Sequence, residues 1–350
     1  MSRTSDPLHI VAIGGGTGLS ALLRGLKEYA PHAGGESGQA PSRTPEIDIT
    51  AVVTVTDDGG SSGRLRRELD ILPPGDIRNC MVALSEDEGL LSRLFQQRFD
   101  TGRSLKGHSF GNLFLSAMTQ LTGDFAQAVA LSSEVLATRG RIFPSTATNV
   151  SLEAWLEDGT GVAGETRISR SRTRIRRIAL KPRRVLPLQE TLDAIHRADL
   201  ICFGPGSLYT SVIPNLLVQG IPEALQAAQA PIVYFVNLMW QPGETMNYKA
   251  SDHVKAMVHH SRPGLIDYAV LNTRPVTGAM RRRYAAERVF PVENDLPKLR
   301  EMGVEVIGRN LLDSGEKVRH NSDAIAEVAV QLAARSRKRR SGPARKAIAR

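Results

Sequence analysis

The sequence predicts an α/β protein: a Rossmann-like, doubly wound, mainly parallel sheet carrying a small inserted β lobe. Three observations predict it. Short, largely apolar runs recur at the length of strands buried on both faces, as in His9–Ile13, Asp199–Phe203 and Ile232–Val236. Two of these runs lead straight into glycine-containing turns and then into helical spacing, with Gly16 and Gly206 190 positions apart. Between them, from Arg141 to Pro182, the pattern changes to alternation with period two.

The first element is the strand His9–Ile13. It opens into Gly14, Gly15, Gly16, Thr17 and Gly18, and Leu19, Leu22, Leu23 and Leu26 then form one apolar helix stripe. Gly16–Ala21 matches G-x-G-x-x-A, the looser dinucleotide fingerprint, and stands between strand and helix as that motif requires. The glycines let main-chain N–H groups approach a ligand, and a phosphate would sit at the helix N-terminus. The alternative is a turn that needs glycine only for chain geometry.

Residues 31–46 are rich in Gly, Pro and Ser and read as an inserted surface loop. The second strand, Ile47–Val55, runs into Asp57 and Asp58 ahead of GGSSG. An acidic residue at that strand end meets a ribose or substrate hydroxyl in a doubly wound sheet, and paired carboxylates also suit Mg²⁺. An Asx turn capped by Asp57 is the plainer reading. A short helix or turn follows over Arg64–Asp70, and then Pro73-Pro74-Gly75 starts a helix with Asp76 as its expected cap. Arg78 and Asn79 lie in its first turn, where Arg78 suits a carboxylate or phosphate. Helical spacing continues through Phe99 to a glycine-flanked knot with His108, Ser109 and Asn112, either a polar pocket at a helix N-terminus or a structural turn. Adjacency of Ser109 and His108 does not make a hydrolase, because a catalytic pair must be brought together by the fold with a third group. An amphipathic helix spans Asp124–Ala137.

In the lobe, Val150–Leu156, Val162–Ile168 and Arg174–Leu180 alternate as strands around a hairpin turn at Glu157–Thr160. The α/β pattern then resumes. The strand Asp199–Phe203 meets Gly204, Gly206, Ser207, Tyr209 and Thr210, whose hydroxyls and N–H groups suit phosphate or sugar. The strand Ile232–Val236 ends in Asn237, with Gln241 just beyond, both neutral groups near the expected crevice. His253, His259 and His260 lack a carboxylate at metal-ligand spacing and read as surface or core residues. A strand Ile266–Leu271, a strand Met302–Ile307 and a closing helix Ala324–Ala333 complete the pattern.

The 350 residues allow a large core, divided as one α/β domain from 1–140 and 183–334, a lobe from 141–182 and a disordered basic tail from 335–350. No apolar run approaches a membrane span and no signal-peptide core precedes the first strand, so the expected compartment is the cytoplasm. Cys80 and Cys202 are isolated, which argues against a disulfide framework or zinc site. The net charge is +9, but eight cations lie from Arg335 onward and nine between Thr166 and Arg184; without them the remainder carries −8. Nucleic acid is therefore an expected partner at most through the basic tail.

Taken in order, GGGTGLS, VTDDGGSSGRLR, LPPGDIRN, GHSFGN, TGDF, EDGT, ADLI, GPGSLYTS, IPNLLV, QPGET and HVKA resemble the gluconeogenesis-factor family, YvcK/CofD-like proteins related to 2-phospho-L-lactate transferase. The likeness runs from about His9 to Ala333. It implies a bacterial cytoplasmic protein tied to cell shape and cell-wall precursor supply during gluconeogenic growth, binding UDP-N-acetylglucosamine. It also implies that the two glycine turns belong to a nucleotide crevice, which NAD or another nucleotide would also fit, and that Asp57 stands where the transferase branch holds its flavin-like acceptor. Tyr284 and Arg319 match positions tied to the nucleotide sugar, and Ser322 matches a phosphorylation point. A homo-oligomer, a dimer, is expected. The competing reading is an enzyme, with Asp57 acting on an acceptor hydroxyl and Asp58 helping to hold Mg²⁺. The 31–46 insert, Trp240 and the basic tail depart from the family pattern.

Overall fold

The computed structural model describes residues 6–32, 43–86 and 89–341. In chain order its strands are β1 (Leu8–Gly14), β2 (Ile47–Val53), β3 (Arg141–Pro144), β4 (Ser151–Leu156), β5 (Gly161–Ala163), β6 (Ile175–Lys181), β7 (Leu200–Phe203), β8 (Ile232–Phe235), β9 (Tyr268–Asn272) and β10 (Glu305–Arg309). Seven form one sheet in the order β10-β9-β8-β7-β1-β2-β3, with every neighbouring pair parallel, and β5-β4-β6 form a separate antiparallel sheet. The expected α/β architecture with an inserted lobe is thus present.

The central strands are buried on both faces, which is why they read as unbroken apolar runs. Ile10, Ile13, Ile47, Ile49, Phe203, Tyr234 and Phe235 are wholly inaccessible. In register, Ile10 stands between Ile49 of β2 and Leu200 of β7. The chain leaves β1 toward β2 and β3 on one side and resumes at β7 on the other. Strand order therefore reverses between β1 and β7, and open sheets of this kind hold ligands beyond the carboxyl ends at that point.

The helix Gly16–Lys27 packs against the closing helix Ser322–Ser341 at very short range. A Cβ at Gly25 would lie 2.0 Å from the Ser322 carbonyl oxygen, so only glycine permits the approach. Among the described residues, no helix is long and apolar enough to cross a membrane. Cys80 and Cys202 are free and buried.

Several elements differ from the sequence reading. β3 belongs to the main sheet, where Thr50–Val53 pair with Arg141–Pro144, so the lobe starts later than Arg141. An edge strand is half exposed, and its alternation resembles that of the antiparallel strands that follow it. The expected strand Val162–Ile168 stops at Ala163, and Glu165–Ile168 is a helical turn. Asp58 causes the switch by accepting from both the Thr166 N–H (2.9 Å) and its hydroxyl (2.7 Å). The basic segment from Arg335 starts as helix: the closing helix continues to Ser341. There Arg337 and Arg340 both bind the carboxylate of Asp199, and Arg337 also donates to the carbonyls of Asp6 and Pro7. Most of the 31–46 insert and residues 342–350 lie outside the described residues.

His260 moors the lobe to the helix Ala250–His259. Its Nδ1–H donates to the Ala256 carbonyl (2.7 Å), leaving Nε2 to accept from the Ile178 N–H (3.0 Å). Burial holds this ring below the usual imidazole range, consistent with the accepting role. His253 is a core residue, with Nδ1 on the Lys249 carbonyl.

Candidate functional site

The two glycine turns touch. A Cβ at Gly18 would lie 1.8 Å from the Pro205 carbonyl oxygen, and one at Gly206 would lie 3.4 Å from the Gly15 carbonyl oxygen. Gly16 takes a φ of +63°, in the left-handed region. Gly14–Gly18 and Gly204–Thr210 therefore form one floor beneath the crevice at β1 and β7.

Both turns are already met by the protein's own side chains. The Gly16 N–H donates to the Asp76 carboxylate. At the second turn Tyr209 N–H donates to Glu244 (2.9 Å), Leu208 N–H to Gln241 (3.4 Å) and Gly206 N–H to Asn237 (3.2 Å). The phosphate expected at the first helix N-terminus would thus meet a carboxylate there. Asn237 returns a bond to the Gly206 carbonyl (2.8 Å), and Gln241 donates to the Ser207 hydroxyl (2.7 Å), so Asn237, Gln241 and Ser207 set the shape of the turn. The hydroxyls of Tyr209 and Thr210 point inward: the first pairs with Tyr248 (2.7 Å), the second with Glu244 (3.1 Å).

Five carboxyl groups gather around this floor. Asp57 accepts from the Gly59 N–H (2.9 Å), which is the Asx turn its sequence allows, and its other oxygen lies 2.7 Å from where Gly75 would carry a Cβ. Asp58 is bound to Thr166 of the lobe. Asp76, one residue inside the helix Gly75–Leu84 rather than at its cap, is pushed up to about 7 by burial and by Asp57. Burial and the same acids push Glu165 up to about 9. Burial also raises Glu244, although Tyr209, Thr210 and Ser169 donate to it. Asp57 and Asp58 each keep one oxygen outside these bonds, which fits the one or two carboxylates that Mg²⁺ takes together with water and phosphate. Among the described residues, no group of three or more His, Cys, Asp and Glu is placed to hold a metal.

Arg78 is 7% exposed and organises a polar cluster beside these acids. It donates to Ser109, to Asn112 (3.0 Å) and to Asn79 (2.7 Å), while Ser61 binds both His108 (2.9 Å) and Asn112 (3.0 Å). Ser109 also caps the helix Phe110–Thr122 by accepting from Asn112 N–H. His108 therefore serves Ser61, not Ser109. The Arg78 Nε is buried with no partner among the described residues.

Tyr284 and Arg319 lie past the ends of β8 and β9. The Tyr284 hydroxyl accepts from the Val318 N–H (3.2 Å), next to Arg319. His320 then donates to the Val236 carbonyl (3.1 Å). Ser322 is the first residue of the closing helix. A cavity of about 200 Å³, lined by neither Tyr284 nor Arg319, opens past β8 and β9, walled by the segments that follow these strands and by Pro291, Val292 and Asn294.

Sequence reasoning missed Asp76, Glu165 and Glu244 as members of the site. Their motifs were visible, Asp76 in LPPGDIRN and Glu244 in QPGET, but which N–H each carboxylate reaches is decided by tertiary packing.

A parallel sheet whose strand order reverses above two facing glycine turns defines a Rossmann-like α/β protein, a class that holds its ligands at such a switch point. The chain belongs to the family described as 2-phospho-L-lactate transferase CofD, whose model matches residues 10–312. It is 48% identical over 324 residues to the gluconeogenesis factor of Bacillus subtilis, covering 92% of this chain and 97% of that one. The gluconeogenesis factor of Halalkalibacterium halodurans is 46% identical over 324 residues, covering 92% and 96%. A crystal structure of a Bacillus halodurans protein matches with a TM-score of 0.86 at 46% identity, over 93% of this chain and 100% of that one.

Proposed function

We propose that this protein is a cytoplasmic gluconeogenesis factor that binds UDP-N-acetylglucosamine and, through partner contacts and as a dimer, adjusts the cell-wall precursor supply that sets cell shape during gluconeogenic growth. One observation carries the reading: Tyr284 and the segment of Arg319, far apart in sequence, are joined through the Val318 N–H beside the crevice. These are the positions that the resemblance ties to a nucleotide sugar. Titration calorimetry tests it, with binding of UDP-N-acetylglucosamine expected without Mg²⁺ and without turnover. Absence of binding overturns it.

A specific observation favours a second reading, the transferase. Asp57 stands beside Asp76, whose pKa is pushed up to about 7 by burial and by Asp57, so the two carboxyls together can take up a proton near neutrality. An acceptor hydroxyl would attack the phosphorus bearing the transferred group, the bond to the nucleoside monophosphate would break, and the hydroxyl proton would pass to Asp57. Mg²⁺ at Asp58 would neutralise phosphate charge. Release of nucleoside monophosphate when a deazaflavin acceptor is offered, abolished by Asp57→Asn with sugar binding intact, is the result that establishes this reading over the first.

A further inference from the structure

We propose that the anionic part of the ligand is held beyond the glycine turns, in the cavity between the ends of β8 and β9, with the Arg274 guanidinium and the Thr273 hydroxyl as its partners. The inference rests on the nucleotide-sugar reading and places its diphosphate.

The glycine turns are poor company for a phosphate. The Gly16 and Tyr209 N–H groups, the ones a phosphate would seek at the start of each turn, already donate to Asp76 and Glu244. Asp57 and Asp58 add further negative charge around them, and like charges at such range repel strongly.

The neighbouring cavity has the opposite character. No Asp or Glu lines it. Glu293, which adjoins its wall in sequence, is paired with Lys249 (2.8 Å). Arg274 is exposed, and among the described residues its guanidinium has no hydrogen-bond or ion-pair partner. The same holds for the Thr273 hydroxyl and the Asn294 side-chain oxygen. The backbone beneath Arg274 is fixed in advance. Asn272 donates to the Arg274 carbonyl (2.6 Å) and accepts from the N–H groups of Arg274 (3.2 Å) and Leu311 (3.0 Å). A rigid turn that presents an unpaired arginine and a hydroxyl is a built anion site.

Position and size agree. Asn237 lines the cavity and also clamps the Gly206 peptide, so the cavity opens beside the crevice floor. About 200 Å³ takes a diphosphate-sized group, whereas whole-ligand pockets run to about 300–1,000 Å³. The sugar and base would extend along the crevice.

The test is titration calorimetry of the full chain and its Arg274→Ala, Arg274→Lys and Thr273→Val variants with pyrophosphate, UDP-N-acetylglucosamine and uridine. Arg274→Ala should weaken pyrophosphate and the nucleotide sugar at least tenfold and reduce the salt dependence of both, with uridine unchanged. Arg274→Lys should recover part of the loss, and Thr273→Val should weaken the same two ligands by a smaller factor. The thermal midpoint should not move, because the Arg274 side chain bonds to nothing among the described residues. Wild-type affinity for pyrophosphate in Arg274→Ala, or no pyrophosphate binding by the native chain, overturns the site. If pyrophosphate binds through Arg274 but UDP-N-acetylglucosamine does not bind, the site stands and the ligand named above fails. If the nucleotide sugar binds equally to Arg274→Ala, the site fails and that ligand stands.

Discussion

Asp76 shows how one carboxyl ties the turn of one element to the start of another. Its pKa of about 7 in the fold, against about 3.9 in an unfolded chain, means that the folded state binds more protons between those values. The stability it contributes is therefore fully present below about pH 4 and is lost as pH rises through 7. Asn at this position still accepts from the Gly16 N–H without the charge. Asp76→Asn should flatten the fall in thermal midpoint between pH 4 and 8, leaving the variant the more stable at pH 8; parallel profiles would refute the shift. Glu165, at about 9, carries the same loss further into the alkaline range. Gly18 makes a sharper case. Gly18→Ala sets a methyl 1.8 Å from a main-chain carbonyl and should destabilise by about 3 kcal/mol in denaturant unfolding. The glycine was legible in the sequence because its neighbours announce a turn. The contacts of Asp76 were not, since no local pattern says that a first-turn acid will reach back to residue 16.

Among the elements, the lobe shows where periodicity informs and where it misleads. Alternation in β4 and β6 is genuine, since Leu152, Ala154 and Leu156 stand beside Leu180, Ile178 and Ile175 on the buried face of the lobe's sheet. Similar alternation at Val162–Ile168 breaks because a single outside acid, Asp58, captures Thr166 and bends the chain into a helical turn. β3 was misassigned for the related reason that an exposed edge strand of a parallel sheet looks like any other half-buried strand. Among the described residues the lobe is held to the main domain by few bonds, among them Asp58 to Thr166, Ser169 to Glu244, Tyr209 to the Ile175 carbonyl and His260 to Ile178. Thr166→Val removes the hydroxyl bond to Asp58 and keeps the N–H bond. A lost bond of about 1 kcal/mol should speed amide hydrogen exchange over residues 151–181 by about fivefold while β1 and β7 keep their protection. Unchanged exchange in the lobe would show that the contact does not moor it.

For the whole molecule, the parallel sheet and its switch point followed from the apolar runs, while the role of the C-terminal arginines did not. Charge composition marks residues from Arg335 onward as a solvated arm, yet Arg337 and Arg340 converge on Asp199, which is 2% exposed and also accepts from the His9 N–H (2.9 Å). A buried acid with two arginine partners is a closing contact, and basic residues in a last helical turn also suit the helix dipole. Truncation after Ala334 should lower stability by about 3 kcal/mol, read as an earlier thermal midpoint. An unchanged midpoint would return the segment to the status of an appendage.

The same clasp brings the beginning of the first strand and the end of the last helix side by side, with Arg337 on the Asp6 and Pro7 carbonyls. The order in which the chain is written is then separable from the shape it takes. A short linker across that junction, with a cut opened at the exposed tip Asp158–Gly159 between β4 and β5, should yield a circular permutant that folds to the same sheet.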